Sequence, residues 1–327
     1  MEILPLQSPI SNLQSLLITM KFSVIIPAYQ PDMVAAPIQS VLRQTMPNWE
    51  LLLVGQGELG SNRAKAVRVV AEELGADNQR LRYLHIDKPG QTAAINAGIR
   101  QAQGELIAIL GDDCTAPPDW LATLAETFRR LPSVGVVGGA VHKPAKLRRG
   151  KAICSNIVPA EAVYDPTVQT KAPAGWDWLV INMAMRREVV AQVGLFDEHL
   201  GPGTGFSAAG DTDYKLRLEA NGVVMATTPH AVVYHTHGYR YGWQAALEFS
   251  RKNAQGNGAL AAKLTLMGDP RGQEWAKENR RMRWLKWKRP FRPHRLLFDI
   301  RRWLDFQHAY HRCLQAFKVS DGVLEPC

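Results

Sequence analysis

Cysteine is scarce in this 327-residue chain: Cys114, Cys154, Cys313 and Cys327 are scattered and show no metal-ligand spacing. Reduced thiols in a reducing compartment are expected. Long apolar runs are missing as well, and none approaches the roughly 20 residues that a bilayer-spanning helix needs. The first residues lack a basic stretch followed by a long apolar one, so a secretory signal is not expected. Met20-Lys21-Phe22 reads as a protein start, which makes residues 1–19 an expected extension. Internal repeats and low-complexity tracts are absent, and with them solenoids and compositionally disordered chains.

What is present reads as a globular protein, with 46% hydrophobic and 21% charged residues. The formal charge of +9 is concentrated. Between Arg271 and Arg302 twelve Lys/Arg face three acids, Glu274, Glu278 and Asp299, which accounts for the whole surplus. Four short apolar segments, 22–27, 50–55, 81–86 and 105–110, alternate with stretches of helical spacing at 34–46, 62–74 and 91–102. That alternation predicts βαβ units and a mostly parallel α/β sheet flanked by helices. A further helix is expected after Pro117 and a strand at 134–141. Loops are expected over 142–175, apolar chain again at 178–187, and a helix from the glycine-rich 201–210. Short strand pieces are expected over 223–237. From Gly242 onward the pattern is helical, then basic and tryptophan-rich.

Ligands of open parallel sheets bind beyond the carboxyl ends of the strands. Pro27-Ala28-Tyr29, Gly55-Gln56-Gly57 and Gly111-Asp112-Asp113 all fall there. Adjacent carboxylates repel one another unless a cation or donors offset the charge. Mg²⁺ or Mn²⁺ takes one or two protein carboxylates and completes its shell with water and phosphate oxygens, so a site this sparse implies a phosphorylated ligand. A solvated acidic turn is the plain alternative. Thr115 stands nearer than either acid to a capping position for the helix that follows. A second acidic pair, Asp211 and Asp213, opens the helix after Gly210, where acids also serve the helix dipole. One can act as a general base and the other as a cap; spacing does not separate them.

Several motifs in order resemble the inverting family 2 glycosyltransferases of GT-A fold, from about Phe22 to His237. "SVIIPAYQ" is similar to the opening strand and nucleotide-binding turn. "KPGQTAAINAGIRQAQGELIAILGDDCTAPPDWL" resembles the segment through the Asp-X-Asp motif. "NMAMRREVVAQVGLFDEHL" resembles the acceptor-side segment, and "GDTDYKLRLEANG" the motif carrying the base. The resemblance implies a GT-A, Rossmann-like catalytic domain at 20–240, with a nucleotide-binding half to about 115 and an acceptor-binding half beyond. It implies transfer from a nucleotide-diphosphate sugar to the hydroxyl of a saccharide or lipid-linked saccharide. Asp113 would ligate Mg²⁺ or Mn²⁺, with His235 or His237 as a further ligand or phosphate donor, and Asp211 would be the base. Pro27, Ala28, Tyr29, Gln56, Asn96 and Asp112 would line the donor site, and Trp176, Asn182 and Asp213 the acceptor site. For the histidines packing or capping at the strand end is the alternative reading, for Trp176 a place in the core and for Asn96 a local structural role, and Cys114 reads as a packing residue.

Three departures from the family pattern stand out. The acid-rich turn after the second strand is Gly55-Gln56-Gly57-Glu58 here; Gly111 replaces the first acid of Asp-X-Asp; Gly210 replaces the acid before the base. These keep open a catalytically weakened sugar-nucleotide-binding relative. A nucleotidyltransferase would carry a cationic phosphate loop after the first strand, and "PAYQPD" offers none. The helical region 241–327 interleaves Trp275, Trp284, Trp287 and Phe291 with Arg and Lys, which suits an anionic membrane face. Packing on the catalytic domain is the alternative. Nucleic acid is not expected, for no recognisable module accompanies the patch. Together these point to a cytoplasmic enzyme, peripheral at the membrane.

Overall fold

The structure is a computed structural model that describes residues 20–143, 155–236, 242–286 and 293–327. Its centre is a nine-stranded sheet in the order β3-β2-β1-β4-β8-β6-β9-β5, with β7 paired to β9. Strands β1 (Phe22–Ala28), β2 (Trp49–Gln56), β3 (Leu81–Ile86) and β4 (Leu106–Leu110) are mutually parallel. Helices α1 (Pro31–Leu42), α2 (Asn62–Gly75) and α3 (Gln91–Gln101) connect them. All four segments expected as strands are strands. The first helix begins earlier than its expected 34–46 because Pro31, at the first helical turn, fixes the backbone for helix entry.

Strands β1, β2 and β4 are buried on both faces, while β3 at the sheet edge is only half-buried, and the period of two divides the core. Phe22, Val24, Ile26, Leu51, Leu53, Ala108 and Leu110 face α1, α2 and α4 (Trp120–Arg130). Ile25, Leu52, Val54, Ile107 and Ile109 face α3 and α6 (Gly210–Ala220). Beyond β4 the pairing turns antiparallel: β8 (Asn182–Arg186) runs against both β4 and β6 (Val136–His142). Helix α5 (Arg187–Val193) follows β8 directly.

The expected strand pieces after 223 form one strand, β9 (Met225–His235), parallel to β6. Thr228-Pro229-His230 breaks the pattern in sequence because the register shifts there, between Gly139 and Ala140 on the partner strand. Proline within a strand belongs at such a bulge. Beyond His142, which ends β6, the described residues up to 175 hold the short β7 (Ala162–Tyr164) and a single bridge from Asn156 to Val141. Thr115 does not cap α4; it lies in β5 (Cys114–Thr115), paired to Tyr234, and Asp119 takes the cap position.

The C-terminal region consists of α7 (Gly242–Leu266), α8 (Pro270–Lys286) and α9 (Pro293–Ala316). It closes on a hairpin that the helical reading missed, β10 (Phe317–Ser320) against β11 (Val323–Pro326). A third core cluster joins these elements to Leu200, Phe206 and Ala209 of the loop before α6. Of the four aromatic residues expected as membrane anchors, Trp275 packs against that cluster; the side chains of Trp284, Trp287 and Phe291 lie outside the described residues, as does His237.

Candidate active site

The carboxyl ends of β1 to β4 lie side by side, and the acids that end β4 turn in different directions. Asp112 Oδ2 accepts the Tyr29 amide at 2.8 Å, and the Gln30 amide also donates to this carboxylate. Burial, then the neighbouring Asp113 charge, push Asp112 up to about 6 against those amide bonds. Asp112 therefore closes the turn between β1 and α1.

Asp113 faces β9. His235 Nε2 lies 2.7 Å from its Oδ2, and Thr236 donates from both backbone and hydroxyl to its carbonyl oxygen. The Cys114 thiol donates weakly to Oδ1 at 3.5 Å. Burial works to raise the Asp113 carboxyl, but the His235 contact outweighs it and holds the group below the usual carboxylate range. Ligand atoms of Asp113, Cys114 and His235 lie within 4.8 Å of one another. The β5–β9 register explains this convergence of distant residues, since Cys114 is directly opposite His235. A side chain at Gly111 would meet Asp113 Oδ1 at 3.0 Å and Cys114 Sγ at 3.1 Å, so an acid there would have to push these side chains aside by a few tenths of an ångström.

The other expected donor-side residues divide by exposure. Pro27 and Ala28 are buried in β1, and Tyr29 is exposed at its end. Arg63 of α2 donates to the Tyr29 hydroxyl at 2.7 Å, with its guanidinium 4.4 Å from the ring centroid. A cation does stand beside this turn, supplied from α2. Gln56 is buried and accepts the Gly90 amide at 2.7 Å, tying the end of β2 to the entry of α3. Asn96 is fully engaged inside: it accepts the Phe196 amide and donates to the Phe196 carbonyl and to Glu198. It holds the 196–198 segment and does not face open space.

The acceptor-side expectations fare differently. Asn182 is completely buried, accepts from the Trp120 indole and donates to Ala140 and Ala231 carbonyls, so it fills the β6–β9 bulge. Trp176 is half-buried, edge-on to Tyr164 at 5.4 Å. Asp213 is buried and paired with Arg217 and Lys263. Asn182 and Asp213 are thus engaged inside the protein, while Trp176 stays partly exposed.

Asp211 remains partly exposed in the first turn of α6, its Oδ1 accepting the Thr212 amide at 2.9 Å. The turn is brought to the strand ends by the loop before it. Gln91 donates its amide to Pro202, Thr92 its hydroxyl to Leu200, and a side chain at Gly210 would meet Leu200 O at 2.9 Å. Close approach accounts for glycine there. Ala209, the cap residue, has φ +70°, left-handed and costly for a non-glycine by roughly 1–2 kcal/mol, and makes no side-chain cap bond.

Residues 23–177 match the family model described as Glycosyl transferase family 2. The chain carries a family 2 glycosyltransferase domain. The glucosyl-dolichyl phosphate glucuronosyltransferase of Haloferax volcanii is 30% identical over 125 residues, 37% of this chain and 38% of that protein. Glycosyltransferase AglE of the same organism is 27% identical over 186 residues, 54% of this chain and 56% of its own. The chain thus spans between about a third and somewhat over half of the length of these relatives. The fold also matches S. aureus TarS 1–349 solved with UDP-GlcNAc, at TM-score 0.55, 14% identity and 94% and 97% coverage of the two chains. A mannosyltransferase from Pyrobaculum calidifontis, solved with GDP-Man and Mn²⁺, matches at TM-score 0.54, 15% identity and 91% and 88% coverage. The domain has the GT-A architecture of these structures.

Pairings that the sequence did not single out also lie beyond these strand ends. Arg63 lies 34 positions from Tyr29, and Lys88 and Glu198, paired at 2.8 Å, are 110 apart. Only the fold joins them. Cys114 was legible as a packing residue, and it is one, but its sulfur also belongs to the Asp113–His235 cluster.

Proposed function

We propose that this protein transfers a sugar from a nucleotide-diphosphate donor to an acceptor hydroxyl, with inversion at the anomeric carbon. The convergence of Asp113 and His235 at the end of the central sheet carries this reading. Carboxylate and imidazole together suit a first-row divalent ion, and the mixed oxygen–nitrogen set favours Mn²⁺ over the oxygen-seeking Mg²⁺. Such an ion, when bound, neutralises the charge that builds on the departing nucleoside diphosphate. The Mn²⁺ in the P. calidifontis structure and the nucleotide sugars held by both structural neighbours support the assignment.

The chain's own residues do the rest. Asp112 fixes the turn that presents Tyr29, whose exposed ring, backed by Arg63, offers a stacking face for the base. Asp211 accepts the proton of the attacking hydroxyl as the new glycosidic bond forms and the bond to the diphosphate breaks. A saccharide or lipid-linked saccharide is the proposed acceptor, in line with relatives named for O-antigen biosynthesis and dolichyl phosphate chemistry. No helix among the described residues is long and apolar enough to cross a membrane. We assign the basic C-terminal region to peripheral contact with an anionic bilayer, helped by exposed Trp243, Leu297 and Leu304.

Incubation with a panel of nucleotide sugars, in Mn²⁺ and in EDTA, tests the reading. Release of nucleoside diphosphate in Mn²⁺ alone is expected. A second reading, binding without turnover, draws on the glycines at 111 and 210. Mn²⁺-dependent binding with no release from any donor would favour it.

A further inference from the structure

Helix α7 runs through "GNGALAAKLTL", a mostly small and apolar stretch in which lysine is the single charged residue. Lys263 is completely buried. Its ammonium lies 2.5 Å from Asp213 Oδ1 and 2.8 Å from Asp197 Oδ2, both carboxylates being buried too. Asp213 accepts Arg217 Nε on its other oxygen at 3.0 Å, and Asp197 also accepts the amides of His199 and of Leu324 in β11. Two acids and two bases thus balance inside the protein, where an unpaired charge would be costly.

The network joins three pieces of chain: the 196–200 loop, the C-terminal helices with their hairpin, and the turn bearing Asp211. That turn has little support of its own. Its cap residue is in the left-handed region and offers no capping side chain. Asp213 sits two residues beyond Asp211, and its grip by Lys263 pins the turn from beneath. Helix α7 comes close enough because it is glycine there. A side chain at Gly256 would meet Ala208 at 2.6 Å, one residue before the cap, and one at Gly258 would meet Phe306 O at 2.3 Å.

We infer that Lys263 is a positioning residue: through Asp213 it holds the first turn of α6 in the geometry that presents Asp211, so the C-terminal helices form part of the catalytic centre. This rests on the proposed role of Asp211. Its consequence is that the region after 241 does more than bind a surface.

The charge-balanced variant Lys263→Met/Asp197→Asn tests it, since it removes one charge of each sign and leaves the Asp213–Arg217 pair. Two quantities are read in the full-length protein: amide exchange by mass spectrometry, and kcat and KM with UDP-GlcNAc or GDP-mannose, whichever the wild type turns over. Expected are faster exchange across 209–214, unchanged exchange across 22–28 and 106–110, and a kcat at least about tenfold lower with donor KM within about twofold (about 1.4 kcal/mol on the barrier). Wild-type exchange at 209–214 overturns the inference, and so does wild-type kcat. If the double variant does not fold, Asp213→Asn, which leaves Lys263 on Asp197, is read by the same criteria. Asp211→Asn separates the two claims: wild-type turnover in that variant removes the base assignment itself. If the wild type turns over neither donor, the exchange across 209–214 decides alone whether Lys263 holds the turn.

Discussion

His235 Nε2 lies 2.7 Å from Asp113 Oδ2, joining the end of β9 to the end of β4 across 122 positions of sequence. Neither residue is a surface ion-pair partner of the ordinary kind, for His235 is buried and Asp113 mostly so. The pair is built by an antiparallel register, Cys114 opposite His235, and exists only because the sheet continues past β4 with strands drawn from the second half of the domain.

Glycine at 111 and 210 is expected to resist restoration of the acids that family 2 patterns place there. Gly210→Ala puts a methyl group 2.9 Å from a backbone oxygen, which cannot swing away. Overpacking of this kind costs about 1–3 kcal/mol, and thermal denaturation should show a melting temperature several degrees lower. Gly111→Asp should lower both stability and turnover. A more active, equally stable Gly111→Asp variant would contradict the packing argument.

Acid should weaken the β1–β2 end of the sheet through Glu50. Burial alone would raise this carboxyl, but bonds from the Ser23 hydroxyl, the Gln103 amide and Arg82 hold it below the usual range. A depressed folded-state value means that Glu50 stabilises above the unfolded-state value and loses this as pH falls through the folded one. Glu50→Gln should cost about 1–3 kcal/mol in chemical denaturation at pH 7. The gap to wild type should narrow below about pH 4. A gap independent of pH would show that the carboxylate charge is not what matters.

Asp211→Asn should lower turnover roughly 10²- to 10⁴-fold, the range general-base help provides, while the melting temperature and nucleotide affinity stay near wild type. Steady-state kinetics beside calorimetry reads both. Turnover within a few-fold of wild type would take Asp211 out of the mechanism.

The basic C-terminal region should carry the protein onto vesicles containing anionic lipid, and salt should release it. Flotation on phosphatidylglycerol vesicles, compared with neutral phosphatidylcholine, reads this. Charge neutralisation at Arg301 and Arg302, both exposed, should reduce recovery on the anionic vesicles. Equal recovery on both lipids would end the membrane assignment.

The β1–β4 part of the sheet was largely legible from sequence. Apolar runs such as Leu106–Leu110 are buried on both faces, and a strand of that kind announces itself by composition alone. The end of β4 was legible for the same reason, because two acids after such a strand have no core role. What sequence could not supply was pairing across the fold. Asn182, Asn96 and Asp213 were expected beside ligands, yet each is consumed by partners between 4 and 102 positions away. A polar residue in an apolar run reads alike whether it faces a pocket or fills a bulge. Lys263 escaped notice for the converse reason: one lysine in a helix is ordinarily solvated, and its burial follows from Asp197 and Asp213 converging on it.

Titration calorimetry of UDP and GDP, in Mn²⁺ and in EDTA, tests the central claim most directly when run on wild type, Asp113→Ala and His235→Ala. Wild-type binding to at least one nucleotide should depend on Mn²⁺. Asp113→Ala should weaken it tenfold or more (about 1.4 kcal/mol), with a smaller loss for His235→Ala. Affinity that is the same in EDTA, or unchanged in Asp113→Ala, would contradict it.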